Sequence, residues 1–380
     1  MIQDGSVLEV AVISAFSKRE RVKINQAKTA ICLFVMVLTM GAVVTACTSN
    51  PLSKARSTPP HGQRSNDAPT ALSSSGDLSG SSGMSGNPVL PPVNGLYLGA
   101  FDNAAGQNGT ANGGMGTYTQ LLNLESQIDR KVAIDLHYST WTTDLASASV
   151  VDDLQAGRIP LISWQCGAPD SSVVAGQYDS LIVAQAKAIA SLHHPVMIRW
   201  FWEMEYTGSN GGKQGANAAK CIGSAGPQGY ISAWRHIVTI FRNNGATNVA
   251  WVFCPGDSSY GPNALTDGVS ARLYYPGNSY VDWIGEDAYS RAVPKTLPNL
   301  VTGLYQVYGN SGKPLIICET GAEGTFQSAF IASAAQLPSQ YPNVKAIVYF
   351  DSHGPLGSYV LTPQGLEAFK ALGENANFNP

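Results

Sequence analysis

The chain has few charged residues and almost no charge imbalance. Only 13% of its 380 residues are Asp, Glu, Lys or Arg, and the net charge is −3, whereas an ordinary soluble domain is about 25% charged. Without an excess of Lys and Arg the chain is poorly suited to neutralise phosphates, so we expect no nucleic-acid partner. The six cysteines form no C-x-x-C pair and the six histidines are scattered, so we expect no metal site. No glycine-rich phosphate loop follows an apolar run, and nothing predicts a cofactor.

An apolar run lies near the start of the chain. Residues 29–44 carry no charge and follow five basic residues, Lys18, Arg19, Arg21, Lys23 and Lys28. This order is typical of a secretory signal peptide, although sixteen apolar residues also approach the length of a transmembrane anchor. The run ends in Val-Thr-Ala-Cys47, which resembles the bacterial lipobox and predicts a signal peptide over 1–46 with Cys47 lipidated. Because residues 1–21 precede the signal, we expect translation to start downstream, at Val22.

The composition changes sharply after Cys47. Of the 48 residues from Thr48 to Gly95, 31 are Ser, Thr, Gly, Pro or Asn. Such a segment buries too little apolar area to offset the entropy of ordering it. We therefore predict a flexible linker over 47–95 and a folded domain over 96–380, held outside the membrane by a lipid.

Four cysteines lie in the predicted folded domain: Cys166, Cys221, Cys254 and Cys318. Four cysteines allow three pairings, and the sequence alone does not choose among them. Cys166 and Cys221 both lie in glycine-rich loops, so we favour a disulfide between them. Cys254 and Cys318 end apolar runs, where cysteine is usually a buried thiol.

Eight short apolar or β-branched runs are spaced along the domain, at 96–101, 131–138, 159–164, 196–202, 248–253, 280–285, 314–318 and 344–350. Their continuous rather than alternating hydrophobicity is typical of parallel strands covered by helices. Helical patterns lie between them, the clearest at Tyr230, Trp234, Ile237, Val238 and Phe241. Eight βα units predict an α/β fold, the (β/α)8 TIM barrel. An open doubly wound sheet is the alternative.

Catalytic side chains of such barrels lie at the carboxyl ends of the strands. Glu203 follows the fourth run and Glu319 follows the seventh. Two carboxyls that flank one sugar are the arrangement for glycoside hydrolysis, and a separation of about 5–5.5 Å gives retention. The alternative for either glutamate is that it only caps the next helix.

Five segments carry a family resemblance: IRWFWEMEY, YISAWRHIVTIFRNNGATNVAWVF, YYPGNSYVDWIGEDAYSR, KPLIICETGA and VKAIVYFD. In this order they resemble glycoside hydrolase family 26, known for retaining β-mannanases on a (β/α)8 barrel. The resemblance implies that Glu203 is the general acid/base and Glu319 the nucleophile. It also implies that Asp287 and Tyr289 form the family's D-x-Y motif, whose tyrosine contacts the nucleophile and the reacting sugar.

The sequence departs from the family pattern at two places. The family usually has His-Glu-Met-Asn where this chain has Trp202-Glu203-Met204-Glu205, and it often has Trp-His where this chain has Trp164-Gln165. Both lie near the expected position of the reacting sugar. We expect six residues to bind substrate, namely Arg199, Trp164, Gln165, Trp202, Asp287 and Tyr289, and the loops 106–116 and 208–220 to border the cleft.

Strand alternation assigns further roles. Arg199, Phe201 and Glu203 are predicted to share one face. If that face is the barrel interior, Arg199 lies near Glu319 and keeps it ionised. The alternative is a buried ion pair of Arg199 with Asp135 or Glu286. We interpret Glu205 as a solvated loop residue, and Trp234 and Trp251 as core residues.

The sequence thus predicts a lipid-anchored, extracytoplasmic, monomeric hydrolase of a β-linked polysaccharide, most similar to endo-β-1,4-mannanases. Two alternatives remain open. One is a surface lipoprotein that binds carbohydrate without cleaving it. The other is a hydrolase of a different β-glycan, such as xylan, mixed-linkage glucan or an envelope glycan.

Overall fold

The computed structural model describes residues 87–103, 117–206, 221–223, 225–354 and 356–378. The predicted signal peptide, the predicted lipidation site Cys47 and almost the whole predicted linker lie outside these residues. So do both of the loops expected to border the cleft, 106–116 and 208–220. In the part of the chain that is described, no helix is both long enough and apolar enough to cross a membrane.

Eight parallel strands close into a barrel in sequence order, with β1 paired to both β2 and β8. They are β1 Tyr97–Asp102, β2 Ile134–Ser139, β3 Ile159–Trp164, β4 Val196–Trp200, β5 Val249–Phe253, β6 Trp283–Ser290, β7 Leu315–Ala322 and β8 Val344–Asp351. A two-stranded ribbon, β9 His353–Gly354 and β10 Gly357–Ser358, follows β8. The (β/α)8 barrel prediction is confirmed, and all eight apolar runs are strands.

Helices lie between the strands and cover the outside of the barrel. In chain order they are α1 Tyr118–Ile128, α2 Ala148–Gln155, α3 Asp170–Val174, α4 Asp179–Ser191, α5 Pro227–Asn243, α6 Ala271–Tyr274, α7 Leu297–Tyr308, α8 Gln327–Ser333, α9 Leu337–Gln340 and α10 Pro363–Glu374. The predicted apolar stripe of α5 is entirely buried. Between β5 and β6 the chain has only α6 and two short 3₁₀ turns, Asp257–Tyr260 and Asn278–Tyr280.

Alternation along the strands divides the buried residues into two layers. Side chains such as Leu136, Met197 and Val252 fill the barrel interior. Their neighbours along the same strands, such as Ile198 and Trp251, pack outward against the helices. Trp234 and Trp251 are both in this outer layer, as core residues.

The amino-terminal end of the barrel is closed by residues before β1. Val89 is 5% exposed and belongs to the interior layer, where its carbonyl accepts a hydrogen bond from Trp283 Nε1 at 3.0 Å. Leu96 N donates to the Asn377 carbonyl at 2.8 Å, which joins the two ends of the domain. The folded domain therefore begins before residue 96, because the Val89 side chain packs into the interior layer of the barrel.

Cys166 and Cys221 form a disulfide with a Cα–Cα distance of 6.2 Å. It links the segment after β3 to the segment that leads into α5. Cys254 and Cys318 are buried free thiols.

Candidate active site

Glu319 reaches the barrel interior because β7 contains a bulge. In β7, Leu315 and Ile317 point outward and Ile316 and Cys318 point inward, so strict alternation would turn Glu319 toward the helices. In the pairing of β7 with β8, however, β7 advances by three residues, from Ile317 to Thr320, while β8 advances by only two. The extra residue re-aims Glu319 inward, as bulges next to active sites often do.

The Glu319 carboxylate is bonded on both oxygens. Oε1 accepts from Tyr138 OH at 2.5 Å and from Arg199 Nη2, and Oε2 accepts from Tyr289 OH at 2.5 Å. Burial by itself would raise the pKa of Glu319, but the Arg199 charge and the two phenols outweigh burial and lower it. Burial and the Glu319 charge raise the pKa of both tyrosines, which therefore remain neutral donors.

Arg199 also binds a second carboxylate, that of Asp287. Its Nη1 lies 2.8 and 3.0 Å from the two oxygens of Asp287, and its Nε donates to Ser163 Oγ at 2.6 Å. The Cys254 thiol donates to Asp287 Oδ1 at 3.3 Å. Burial raises the pKa of Asp287 and the charge of Arg199 opposes that shift. One guanidinium thus serves two carboxylates.

These contacts correct two predictions. Arg199 and Asp287 are both 0% exposed, so they support Glu319 from beneath the cleft and do not bind substrate. The alternative ion-pair partners of Arg199 are wrong as well. Asp135 alternates with the inward Ile134 and Leu136 and therefore faces the helices, and Glu286 likewise alternates with the inward Asp287.

Glu203 lies in a turn just past the end of β4. Phe201 and Glu203 have φ values of 48° and 50°, a left-handed conformation that is uncommon for residues other than glycine. The predicted common face of Arg199, Phe201 and Glu203 is therefore wrong, because alternation ends at Trp200. Phe201 packs on Trp200 and Tyr230 on the helix side, whereas Glu203 is 4% exposed and acts electrostatically on Asp287.

Glu205 is buried, contrary to its interpretation as a solvated loop residue. It is 4% exposed, and its Oε1 accepts a hydrogen bond from Gly256 N at 2.6 Å. Burial raises its pKa to about 8, and the Glu203 charge adds to that shift. The carboxyl is therefore neutral at pH 7.

Aromatic rings border Glu319. The half-buried Trp202 has its ring 5.3 Å from Tyr138 and lies 5.2 Å from the Arg199 guanidinium carbon. Tyr289 stacks on Tyr359 at 4.4 Å. Trp202 and Tyr289 thus lie where the sequence places them, beside the expected nucleophile.

Trp164 and Gln165 behave differently from each other. Trp164 is 0% exposed, stacks on Trp141 at 4.6 Å and donates to the Trp141 carbonyl at 3.2 Å. It points to the helix layer, so the prediction that it binds substrate is wrong. Gln165 is half-buried at the carboxyl end of β3, and its N–H donates to the Ser139 carbonyl at 2.9 Å.

Two clusters of metal-ligand type occur among the described residues, Asp135–His137–Asp153 and Cys254–Asp287–Cys318. In the first, His137 Nε2 lies 2.5 Å from Asp153 and 3.3 Å from Asp135. In the second, Asp287 already binds Arg199. The polar atoms of both clusters are paired with each other or with an arginine, so neither cluster calls for an ion.

Sequence reasoning missed Tyr138. The signal was present, because alternation from Ile134 and Leu136 points Tyr138 into the barrel near the carboxyl end of β2. The phenol at that position is one of the two that hold Glu319.

A closed parallel barrel with an ionised, inward-facing carboxylate at its carboxyl end has the architecture of the barrel glycoside hydrolases. Residues 113–352 match the sequence profile of glycosyl hydrolase family 26. This match covers more than half of the chain, and the chain belongs to glycosyl hydrolase family 26.

The chain is also similar to individual proteins. Endoglucanase H of Acetivibrio thermocellus is 28% identical over 269 residues, which are 66% of this chain and 28% of that protein. The chain therefore spans less than a third of the length of this relative. Two solved structures share the fold. The catalytic domain of the endo-β-1,4-mannanase from Bacillus sp. JAMB-750 has a TM-score of 0.53 at 14% identity over 75% of this chain and 86% of that one. The family 26 β-mannanase of Bacteroides ovatus has a TM-score of 0.51 at 18% identity over 75% and 90%.

Proposed function

We propose that the protein is a retaining, endo-acting hydrolase of a β-linked polysaccharide, with β-1,4-mannan as the first candidate substrate. Glu319 is the nucleophile and Glu203 the general acid/base. The observation that carries this proposal is the environment of Glu319, whose two oxygens accept hydrogen bonds from one guanidinium and two phenols.

The proposed reaction has two steps. Glu319 attacks the anomeric carbon while Glu203 gives its proton to the leaving glycosidic oxygen, which forms a glycosyl-enzyme ester and releases the first product. Glu203 then takes a proton from water, whose oxygen attacks the same carbon and expels the Glu319 carboxylate. Tyr289 and Tyr138 stabilise the carboxylate whenever it is free.

The electrostatics favour retention over inversion. An inverting enzyme needs a second carboxylate that accepts a proton from water, and a base works best when its pKa is near the working pH. The pKa of Glu319 is lowered, which makes it a poor base. The same property makes it a good leaving group from the ester, as the second step of retention requires.

The substrate class is supported by relatives. Solved structures of the same fold are named as β-mannanases, which supports mannan. The endoglucanase relative is more similar in sequence, at 28% identity, and this favours β-glucan as the second candidate. Trp202 is the described residue beside Glu319 that departs from the usual family sequence.

The proposal extends to location. A basic segment, an apolar run and Cys47 in a lipobox-like sequence support an extracytoplasmic enzyme that is tethered to the membrane by a lipid.

The first experiment is to incubate the full-length protein with β-mannans, xylans, mixed-linkage glucans and bacterial envelope glycans. Reducing ends are measured beside Glu319→Gln and a control, Glu367→Gln, at an exposed position on α10. Hydrolysis of one substrate by wild type and the control, but not by Glu319→Gln, is expected. Activity that survives in Glu319→Gln contradicts the nucleophile assignment, and tight binding without hydrolysis by wild type supports the carbohydrate-binding alternative.

The stereochemistry is tested separately by proton NMR of the first product. Retention gives the β anomer before mutarotation, and an initial α anomer contradicts the proposed mechanism. On a dinitrophenyl glycoside, whose leaving group needs no acid in the first step, azide added to Glu203→Ala should restore turnover and give a β-glycosyl azide, because azide attacks the ester without a general base. An α-glycosyl azide from this variant would instead place the nucleophile elsewhere.

A further inference from the structure

The turn that carries Glu203 is strained. Phe201 and Glu203 both have positive φ values, 48° and 50°, a conformation that is costly for residues other than glycine. Conformations of this kind persist only where the surrounding structure over-determines them. The contacts that hold the turn therefore also hold the proposed acid.

The contacts run to the segment that follows β5. Glu203 N donates to the Cys254 carbonyl at 2.9 Å, and Glu205 Oε1 accepts from Gly256 N at 2.6 Å. Tyr206 OH is hydrogen-bonded to Ser258 Oγ. Of these three links, that of Glu205 is the one made by a side-chain carboxyl. Glu205 is only 4% exposed.

The segment after β5 leads on to the support of Glu319. Asp287 N donates to the Pro255 carbonyl at 3.0 Å, and Gly256 forms a parallel bridge with Asp287. Asp287 in turn binds Arg199, which binds Glu319. Glu205 thus joins the Glu203 turn to the ion pair that holds Glu319.

The fit at this junction is close. A Cβ on Gly256 would lie 2.5 Å from both Cε2 and the hydroxyl oxygen of Tyr206, so any larger residue there would displace the Tyr206 ring. The Glu205 charge contributes to the raised pKa of four nearby phenols, those of Tyr206, Tyr230, Tyr260 and Tyr274. Its Oε2 is buried and lacks a hydrogen-bond partner among the described residues. Burial raises the pKa of Glu205 to about 8.

We propose that Glu205 is a positioning residue, whose Oε1 ties the Glu203 turn to the Pro255–Gly256 segment and so aims Glu203 at the glycosidic oxygen. This inference rests on the proposed roles of Glu203 and Glu319. It goes beyond them by assigning a part to the residue that stands in the place of the family's usual asparagine. Because the link needs only a side-chain oxygen that accepts from Gly256 N, the carboxamide of glutamine should replace the carboxyl.

The test compares Glu205→Gln with Glu205→Ala on two aryl β-glycosides of the hydrolysed sugar. A phenyl leaving group needs the acid, whereas a dinitrophenyl group leaves without it. Glu205→Ala should lower kcat on the phenyl glycoside about 10- to 100-fold, as expected for a catalytic group misplaced by about 1 Å. Its kcat on the dinitrophenyl glycoside should stay within about threefold of wild type, and Glu205→Gln should restore the phenyl activity.

Other outcomes overturn the inference. Equal losses of activity on both leaving groups indicate a general structural role, and no loss on either indicates no role. Wild type that hydrolyses none of the polysaccharides and neither glycoside refutes the proposed function and, with it, the role assigned to Glu205. If wild type and Glu205→Gln hydrolyse both glycosides and Glu205→Ala shows no leaving-group preference, only the inference on Glu205 fails.

Two further measurements keep the test decisive if Glu205→Ala does not fold. Gly256→Ala disturbs the same link from its other end, through the clash with Tyr206, and should give the same preference for the dinitrophenyl glycoside. Crystal structures of the Glu205 variants should show the 201–206 turn displaced in Glu205→Ala and unchanged in Glu205→Gln. A turn that keeps its positive φ values in Glu205→Ala contradicts the proposal whatever the activity.

Discussion

Arg199 and Glu319 form an ion pair at the carboxyl end of the barrel, with the guanidinium 0% exposed and Glu319 6% exposed. Removing one member of a buried pair leaves a charge without compensation, which is more costly than losing an exposed pair. The second carboxylate on Arg199, from Asp287, makes the cation central to both the stability and the chemistry of the site.

Arg199→Gln should destabilise the protein by about 3–5 kcal/mol, because two buried carboxylates lose their cation. The double variant Arg199→Gln/Asp287→Asn should recover part of that loss, since Asp287→Asn removes one of the two carboxylates that are left without a cation. Both the single and the double variant should be inactive, because Glu319 lacks its counter-ion in each. Urea unfolding of the four members of this double-mutant cycle measures the coupling. Purely additive losses would mean that Arg199 and Asp287 do not interact.

Tyr138→Phe should shift the acid limb of the pH–rate profile upward. The phenol hydrogen bond helps to lower the pKa of Glu319, so its loss raises that pKa and leaves less of the carboxylate ionised at low pH. The measurement is kcat/KM from pH 4 to 8. Tyr97→Phe is the matched control, because its hydroxyl contacts the Leu90 carbonyl away from the site. An acid limb at the wild-type position would show that Tyr138 does not bind Glu319 in solution.

Asp170→Asn should stabilise the protein as the pH rises. Asp170 is 1% exposed, neither carboxyl oxygen has a hydrogen-bond partner among the described residues, and burial raises its pKa to about 7. A carboxyl with a raised folded pKa stabilises the protein below its unfolded pKa of about 3.9 and loses that contribution as pH rises toward 7. The gain in the variant should be nearly absent at pH 4 and on the order of 4 kcal/mol at pH 7.5, since each unit of pKa difference corresponds to about 1.4 kcal/mol. A gain that is constant with pH would show that titration of Asp170 is not its source.

Removal of the disulfide should destabilise the domain. Cys166 and Cys221 are 55 residues apart, and a loop of this length gives about 4 kcal/mol in the chain-entropy model. Cys166→Ala/Cys221→Ala should melt at a lower temperature than wild type, and a reductant should lower the melting temperature of wild type only. Equal sensitivity of both proteins to the reductant would mean that the disulfide does not account for the effect.

Cys47→Ala should release the enzyme from the membrane fraction if the lipid is its anchor. Labelling of cells with a fatty acid should mark wild type and not the variant. A variant that stays membrane-bound would favour the apolar run 29–44 as a transmembrane anchor.

Much of the architecture follows from local sequence. Each of the eight strands overlaps one of the predicted apolar or β-branched runs, and the stripe of α5 from Tyr230 to Phe241 is buried as predicted. These predictions hold because strands buried on both faces must be apolar throughout and because a helix on a barrel must bury one face. The positions of Glu203 and Glu319 after the fourth and seventh runs follow from the same reasoning.

The amino-acid sequence alone thus determined the barrel, its strand order and the end at which its polar residues gather. Only the tertiary structure decided where individual side chains point. The bulge in β7 turns Glu319 inward, the left-handed turn after Trp200 separates Phe201 from Glu203, and Trp164 faces the helices rather than the cleft. Alternation is a rule for regular strands, and it fails where an extra residue or a positive φ interrupts the strand. Such interruptions are stabilised by contacts that are distant in sequence, such as that between Glu205 and Gly256, and no local pattern reports them.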